Sequence, residues 1–194
     1  WRHRWSRHCL RRVRSRTSAE SVPEVIEITG RFDILLNNAG GPGPIAPVAE
    51  VDMHAWVECM NINLVGAIYC LQEAAKVMIK QQSGSIINMS SLMGIQGYPM
   101  RSAYVASKFA LIGVTETVAR ELGPHNVRVN ALMPGAVSGA NMDQILQSRA
   151  ETENRAVEEI EQENYTDVAA LKPGLLQKKL LERHCSAPLI LALQ

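Results

Sequence analysis

A chain of 194 residues, 46% apolar and 20% charged, is long enough for one domain with a sizeable core and too short for two of ordinary size. Its formal net charge of +1 gives the whole chain no electrostatic case for binding nucleic acid or an anionic membrane, and its uninterrupted apolar runs are too short to span a bilayer. The four cysteines and five histidines fall in no C-x-x-C or zinc-ligand spacing, which argues against a structural metal or a disulfide framework and for a reducing, cytoplasmic setting.

The first stretch, "WRHRWSRHCLRRVRSRTS" (1–18), stands apart. Residues 1 to 16 carry seven arginines and no acid, so the remainder is net acidic by six charges. An Arg- and Ser-rich, acid-free start resembles a mitochondrial transit peptide, which would place the chain in the mitochondrial matrix, or a loose nucleic-acid arm. The initial Trp and the absence of helical period favour a third reading: a basic arm that is not native folded structure and binds no specific nucleic acid.

Residues 19–194 then alternate between helical patterns and short apolar runs. "SAESVPEVIEITG" is a short helix candidate capped by Ser18 and closed by Gly30. "FDILLN" (32–37) reads as a strand buried on both faces, followed by a Gly- and Pro-rich loop. Residues 52 to 81 form a long helical pattern, and "GSIINMSS" (84–91) a second buried strand. Residues 102 to 122 form another helix with a Gly-Pro stop, and "NVRVNALMPG" (126–135) a third strand. This order predicts an α/β fold with a doubly wound parallel sheet, helices on its two faces and a ligand site beyond the carboxyl ends of the strands. Those ends are Asn37-Asn38, Ser90-Ser91 and Pro134-Gly135. Residues 139 to 167 hold eight acids against two arginines and read as a solvated helix face. Beyond Pro173 only a short helix and a last strand at 189–193 suggest themselves.

The chemistry gathers in "SAYVASKFALIG" (102–113). Tyr104 and Lys108 are four apart on a helix and share a face. A phenol titrates near 10 in water, and a nearby cation favours its ionised form. Alone, Tyr-x-x-x-Lys is a weak signal. Ser91, at the carboxyl end of a buried strand, has a hydroxyl suited to a bound carbonyl or alcohol. Asn63 is a poor helix former inside a long helix.

Taken together, "DILLNNAG" (33–40), "NINLVGAIYC" (61–70), "GSIINMSSLMG" (84–94), "YVASK" (104–108) and "ELGPHNVRVNALMPGAV" (121–137) resemble the short-chain dehydrogenase/reductase family, with a Rossmann-like sheet. The likeness is greatest to bacterial 3-oxoacyl-carrier-protein-reductase-like members. The resemblance runs from about residue 19 to about 145. It implies an oxidoreductase that moves hydride between NAD or NADP and a small-molecule carbonyl or alcohol. It implies Tyr104 as general acid/base, Lys108 as the cation that makes the phenol acidic and binds ribose, Ser91 as the carbonyl partner, and Asn63 as holder of a relay water. Asn38, Ala39 and Gly40 would line the adenosine side of the cofactor; Pro134, Gly135 and Val137 the nicotinamide side. Residues 139–194 would supply a substrate-covering segment and a divergent tail. Family members are often homo-dimers or tetramers built on the two long helices, and no membrane partner is implied.

Two departures qualify this. No T-G-x-x-x-G-x-G turn occurs in the 194 residues, and Gly139 stands where the family often has a cofactor-contacting Thr. The front of the domain reads as missing, the choice between NAD and NADP with it, and the strand at 33–37 is expected to have an unpartnered edge. The competing reading is therefore an inactive fragment, or a non-catalytic binding piece of such an enzyme.

Overall fold

The computed structural model describes residue 27 and residues 30–136 and 139–163. The basic arm, all but the end of the candidate helix at 18–30, Val137 and the expected strand at 189–193 lie outside the described residues. Within them, strand β1 (Ile34–Asn37) leads into helix α1 (Met53–Met60), a single π turn (Asn61–Val65) and helix α2 (Gly66–Gln81). Strand β2 (Gly84–Met89), helix α3 (Ser102–Leu122) and strand β3 (Val127–Leu132) follow. Two helices, α4 (Ala140–Glu153) and α5 (Val157–Glu161), complete the described chain.

Local chemistry explains these limits. Asp52 accepts hydrogen bonds from the amides of His54 and Ala55 and so starts α1. Gln82 in the left-handed conformation ends α2, and Gly84 must follow closely because a Cβ there would lie 2.6 Å from Met78 Cγ. Gly123-Pro124 stops α3, with Asn126 in the left-handed region turning the chain into β3.

The three strands are parallel in the order β1-β2-β3, with Leu35, Ile86 and Val129 in register across them. The fold is thus α/β and Rossmann-like, but the described residues hold only one winding of it. Right-handed crossovers along a strand order that advances one way put successive helices on the same face. Accordingly α2 and α3 both pack on the face that carries Leu35, Ile86, Val127 and Val129, where Leu71, Ala74, Met78 and Leu122 complete the core. Among the described residues helices cover one face of the sheet, and β1 alternates, with Leu35 and Asn37 inward while Ile34 and Leu36 are each 55% exposed. β1 pairs only with β2 among the described strands, leaving its other edge open.

The segment Met53–Gln81 is, by length and composition, long and apolar enough to cross a membrane, although no single apolar run within it is. Its buried positions, Cys59, Asn63, Cys70, Leu71, Ala74 and Met78, face the loop after β1 and the sheet. Its exposed apolar side chains, Met53, Val57, Ile62, Ile68 and Tyr69, lie on the uncovered side. The acid-rich stretch is only partly solvated: α4 and α5 bury Leu146, Ala150 and Ile160 against one another, and Arg155 reaches Glu153, Glu159 and Glu163 on the outside.

Candidate active site

The carboxyl ends of all three strands open on one edge of the sheet, and buried polar contacts fix what stands there. Asn37 Nδ2 donates to Asn88 Oδ1 at 2.8 Å, Asn88 Nδ2 donates to Thr115 Oγ1 at 2.9 Å, and the Thr115 hydroxyl donates to the Leu111 carbonyl. This chain ties β1 to β2 and β2 to α3 in a dry interior, where each broken link would leave a buried polar group unsatisfied. Immediately beyond β1, Asn38, Ala39 and Gly40 are exposed at the sheet edge.

Asn63 is 1% exposed and lies within the π turn. Its Oδ1 accepts from the Gly41 amide at 2.8 Å, and its Nδ2 lies 3.0 Å from the Gly41 carbonyl, 3.2 Å from Ser107 Oγ and 3.4 Å from Cys59 Sγ. The side chain therefore clamps the loop after β1 at both ends of one residue. With three acceptors around two N–H protons, the Nδ2 donors are fully engaged in protein contacts. Gly40 follows from the same clamp: a Cβ there would lie 3.0 Å from Asn63 Oδ1 and 3.7 Å from Lys108 Nζ.

Lys108 is 5% exposed, and its ammonium donates to the Met89 carbonyl at 2.7 Å. Burial lowers its pKa from the ordinary lysine value, with the Cys59 thiol pulling weakly the other way. Burial likewise raises the Cys59 thiol, opposed by Arg101 and Lys108, so Cys59 stays neutral at neutral pH. The Lys108 ammonium stands 5.6 Å from the centroid of the half-buried Tyr104 ring, so the two groups converge as the helical spacing implied.

Ser91 caps the short 3-10 turn Leu92–Gly94, its Oγ accepting from the Met93 amide at 3.2 Å. That contact uses an oxygen lone pair and leaves the O–H proton to be donated to a ligand. Its place is set by its neighbours: Ser90 Oγ donates to the Lys108 carbonyl at 2.9 Å, the Ser90 amide to Leu132, and the Leu92 amide to Pro134. Through Ser90 and Pro134 the serine loop is attached both to the helix of the Tyr-Lys pair and to the exit of β3. Pro134 is half-buried, and Gly135 has open space beside it.

Gly94 makes this docking close. A Cβ there would lie 2.5 Å from Ser90 Oγ, 2.8 Å from Ile112 Cδ1 and 3.0 Å from the Lys108 carbonyl oxygen. The last is helix backbone and cannot swing aside. Gly94→Ala is expected to destabilise the fold by about 1–3 kcal/mol, the usual cost of overpacking, and to lower activity by pushing the loop that carries Ser90 and Ser91 away from α3. Chemical denaturation with activity measured in parallel checks this; wild-type stability in the variant would contradict the docking geometry.

Sequence reasoning missed Arg101. It is 1% exposed, donates from Nη2 to the Pro42 carbonyl at 3.1 Å, and lies over the Tyr104 ring with its guanidinium carbon 4.8 Å from the centroid. An arginine in "YPMR" ahead of a helix reads as solvated, and nothing local signals otherwise. Asn88 was more legible, as an amide inside the apolar run "GSIINM". Among the described residues no cluster of three or more His, Cys, Asp or Glu is placed to hold a metal ion.

The chain is similar to known proteins over much of its length. A family profile described as short chain dehydrogenase matches residues 12–151. Among curated proteins, the chain is 39% identical over 133 residues to a 3-oxoacyl-(acyl-carrier-protein) reductase of Thermotoga maritima, covering 69% of this chain and 54% of that protein. It is 38% identical over 117 residues to a 2,5-dichloro-2,5-cyclohexadiene-1,4-diol dehydrogenase of Sphingobium indicum, covering 60% and 47%. Among solved structures, an NAD+-bound xylitol dehydrogenase superposes with a TM-score of 0.67 at 37% identity, over 70% of this chain and 54% of that one. A sorbitol-6-phosphate 2-dehydrogenase of Erwinia amylovora superposes with a TM-score of 0.72 at 31% identity, over 79% and 60%. The chain spans about half the length of the curated relatives it matches.

Proposed function

Since this chain belongs to the short-chain dehydrogenase family, we propose that it is an NAD(P)-dependent oxidoreductase that interconverts an alcohol and a ketone, with Tyr104 as the proton donor and acceptor. The observation that carries this reading is the buried Lys108 ammonium, 5.6 Å from the Tyr104 ring and against Gly40. An ammonium in a dry pocket acts on a neighbouring phenol far more strongly than one in water. Tyr104 would pass its proton to the oxygen of a carbonyl under reduction, and take it back from an alcohol under oxidation. Ser91 would donate its remaining O–H proton to that same oxygen and hold it in line. Proton resupply would run from Lys108 toward the backbone of the π turn that Asn63 anchors.

The residues at the exits of β1 and β3 leave room for a nicotinamide dinucleotide along the carboxyl edge of the sheet. Gly40 is packed closely on Asn63 and Lys108, Asn38 to Gly40 are exposed at the sheet edge, and Gly135 has open space beside it. Lys108 would take ribose hydroxyls, Asn38, Ala39 and Gly40 the adenosine side, and Pro134 and Gly135 the nicotinamide side. The cofactor, when bound, supplies the hydride. Nothing in these residues selects NAD over NADP. The buried thiols Cys59 and Cys70 support a cytoplasmic setting. The apolar side chains left exposed on Met53–Gln81 support self-association through that helix into a dimer or tetramer.

A second reading, an inactive or non-catalytic piece of such an enzyme, is favoured by specific observations. The 194 residues hold no glycine-rich turn for a pyrophosphate, and the sheet face with Ile34 and Leu36 is uncovered among the described residues. Titrating the purified chain with NADH and NADPH, followed by nicotinamide fluorescence, separates the two. Micromolar binding is expected if the chain is an enzyme by itself; no binding at millimolar cofactor selects the second reading.

A further inference from the structure

Loop 41–46, which leaves β1, is held at three points. Asn63 clamps Gly41, the Ala46 amide donates to the Met100 carbonyl at 3.1 Å, and between them Arg101 takes the Pro42 carbonyl. Met100 has a φ of 64°, in the left-handed region that a non-glycine side chain rarely occupies, and so turns the chain sharply just before Arg101. Beyond that turn the Arg101 side chain runs inward, to 1% exposure, and its guanidinium lies across the Tyr104 ring. The same loop, through Pro42, Gly43, Pro44 and Ile45, forms one wall of a cleft of about 270 Å³ whose other wall is Gln144, Ile145 and Ser148 of α4. One buried side chain thus touches both the wall of a cleft and the ring of the tyrosine.

We propose that Arg101 is a positioning residue that couples the loop 41–46 wall of a substrate cleft to the Tyr104 ring. This rests on the reading of Tyr104 as the acid/base. A planar guanidinium can lie flat on the ring and still direct an N–H along its edge at the Pro42 carbonyl. An ammonium is a point donor with no flat face, so lysine at this position can serve one contact and not both. Lys108 and Arg101 hold the ring at 5.6 and 4.8 Å from its centroid, which restricts the arc over which the phenol oxygen swings. Displacing a reacting group by about 1 Å costs about 10²-fold in rate. Because Arg101 contacts the loop beyond Gly41, cofactor contacts at Asn38–Gly40 are left alone.

The test compares Arg101→Gln and Arg101→Lys with the parent full chain, using a 3-oxoacyl thioester with NADPH and xylitol with NAD+ as probes. Arg101→Gln is expected to lower kcat about 10²-fold and raise KM for the carbonyl or alcohol, with cofactor affinity unchanged. Arg101→Lys is expected to restore the melting temperature but not kcat. Equal recovery of stability and kcat in Arg101→Lys, or a loss confined to melting temperature, would overturn the proposal. A second readout is independent of turnover: the ring resonances of Tyr104 in chain labelled with 13C-tyrosine, assigned by Tyr104→Phe. They are expected to move in Arg101→Gln while those of the other tyrosines stay. Unmoved Tyr104 resonances would sink the coupling whether or not the parent turns over either probe. Parent inactivity with moved resonances would instead remove the acid/base reading and leave the contact in place.

Discussion

Tyr104→Phe is expected to fold and melt like the parent yet reduce or oxidise its substrate about 10²–10⁴-fold more slowly, the range that a positioned general acid contributes. The variant is a clean subtraction. Phenylalanine keeps the ring that Arg101 and Lys108 flank, so the two cation–ring contacts and the packing of α3 survive. Only the hydroxyl is lost, and the half-buried ring is not among the residues that make up the core. Steady-state kinetics at saturating cofactor, with circular dichroism on the same samples, makes the measurement. Full activity in the variant would remove Tyr104 from the chemistry, and with it the meaning assigned to Lys108.

The second large effect is at Lys108, where activity and stability are expected to part. Lys108→Met should lower kcat about 10²–10³-fold, as loss of one preorganised charged donor does. Stability should respond differently because burial disfavours the charged form. In the folded chain Lys108 titrates below its unfolded value of 10.5, so between those two values the unfolded chain binds more protons. Stability therefore rises with pH through that window, and below the folded pKa the cost of the buried ammonium is present in full. Its hydrogen bond to the Met89 carbonyl offsets part of that cost. Methionine keeps an unbranched stem, one atom shorter, and carries no charge. Thermal melts of both proteins from pH 7 to pH 10 should show the parent gaining on Lys108→Met as pH rises. A parent that loses ground toward high pH would contradict the burial on which the site depends.

The sheet face that carries Ile34 and Leu36 separates what a strand is able to bury from what the described residues cover. "FDILLN" holds three consecutive apolar residues at its centre, Ile34 to Leu36, and such a run implies burial on both sides. Ile34 and Leu36 are exposed among the described residues, where α2 and α3 pack on the sheet face to which Leu35 and Asn37 point. Periodicity reports what a strand is able to bury, whereas topology decides what covers it.

The sequence by itself determined the elements and the edge on which chemistry gathers. The Gly123-Pro124 stop and the four-residue step from Tyr104 to Lys108 act through backbone geometry a few residues long, and the structure repeats them. Only the tertiary structure decided that Asn63 clamps Gly41, that Ser90 and not Ser91 is bonded to the Lys108 carbonyl, and that Arg101 is a buried partner of Tyr104. Each of these joins residues brought together by the sheet or by a strained turn. Hydrogen bonds and desolvation depend on what stands within a few ångströms, and that distance is set by packing and not by position along the chain.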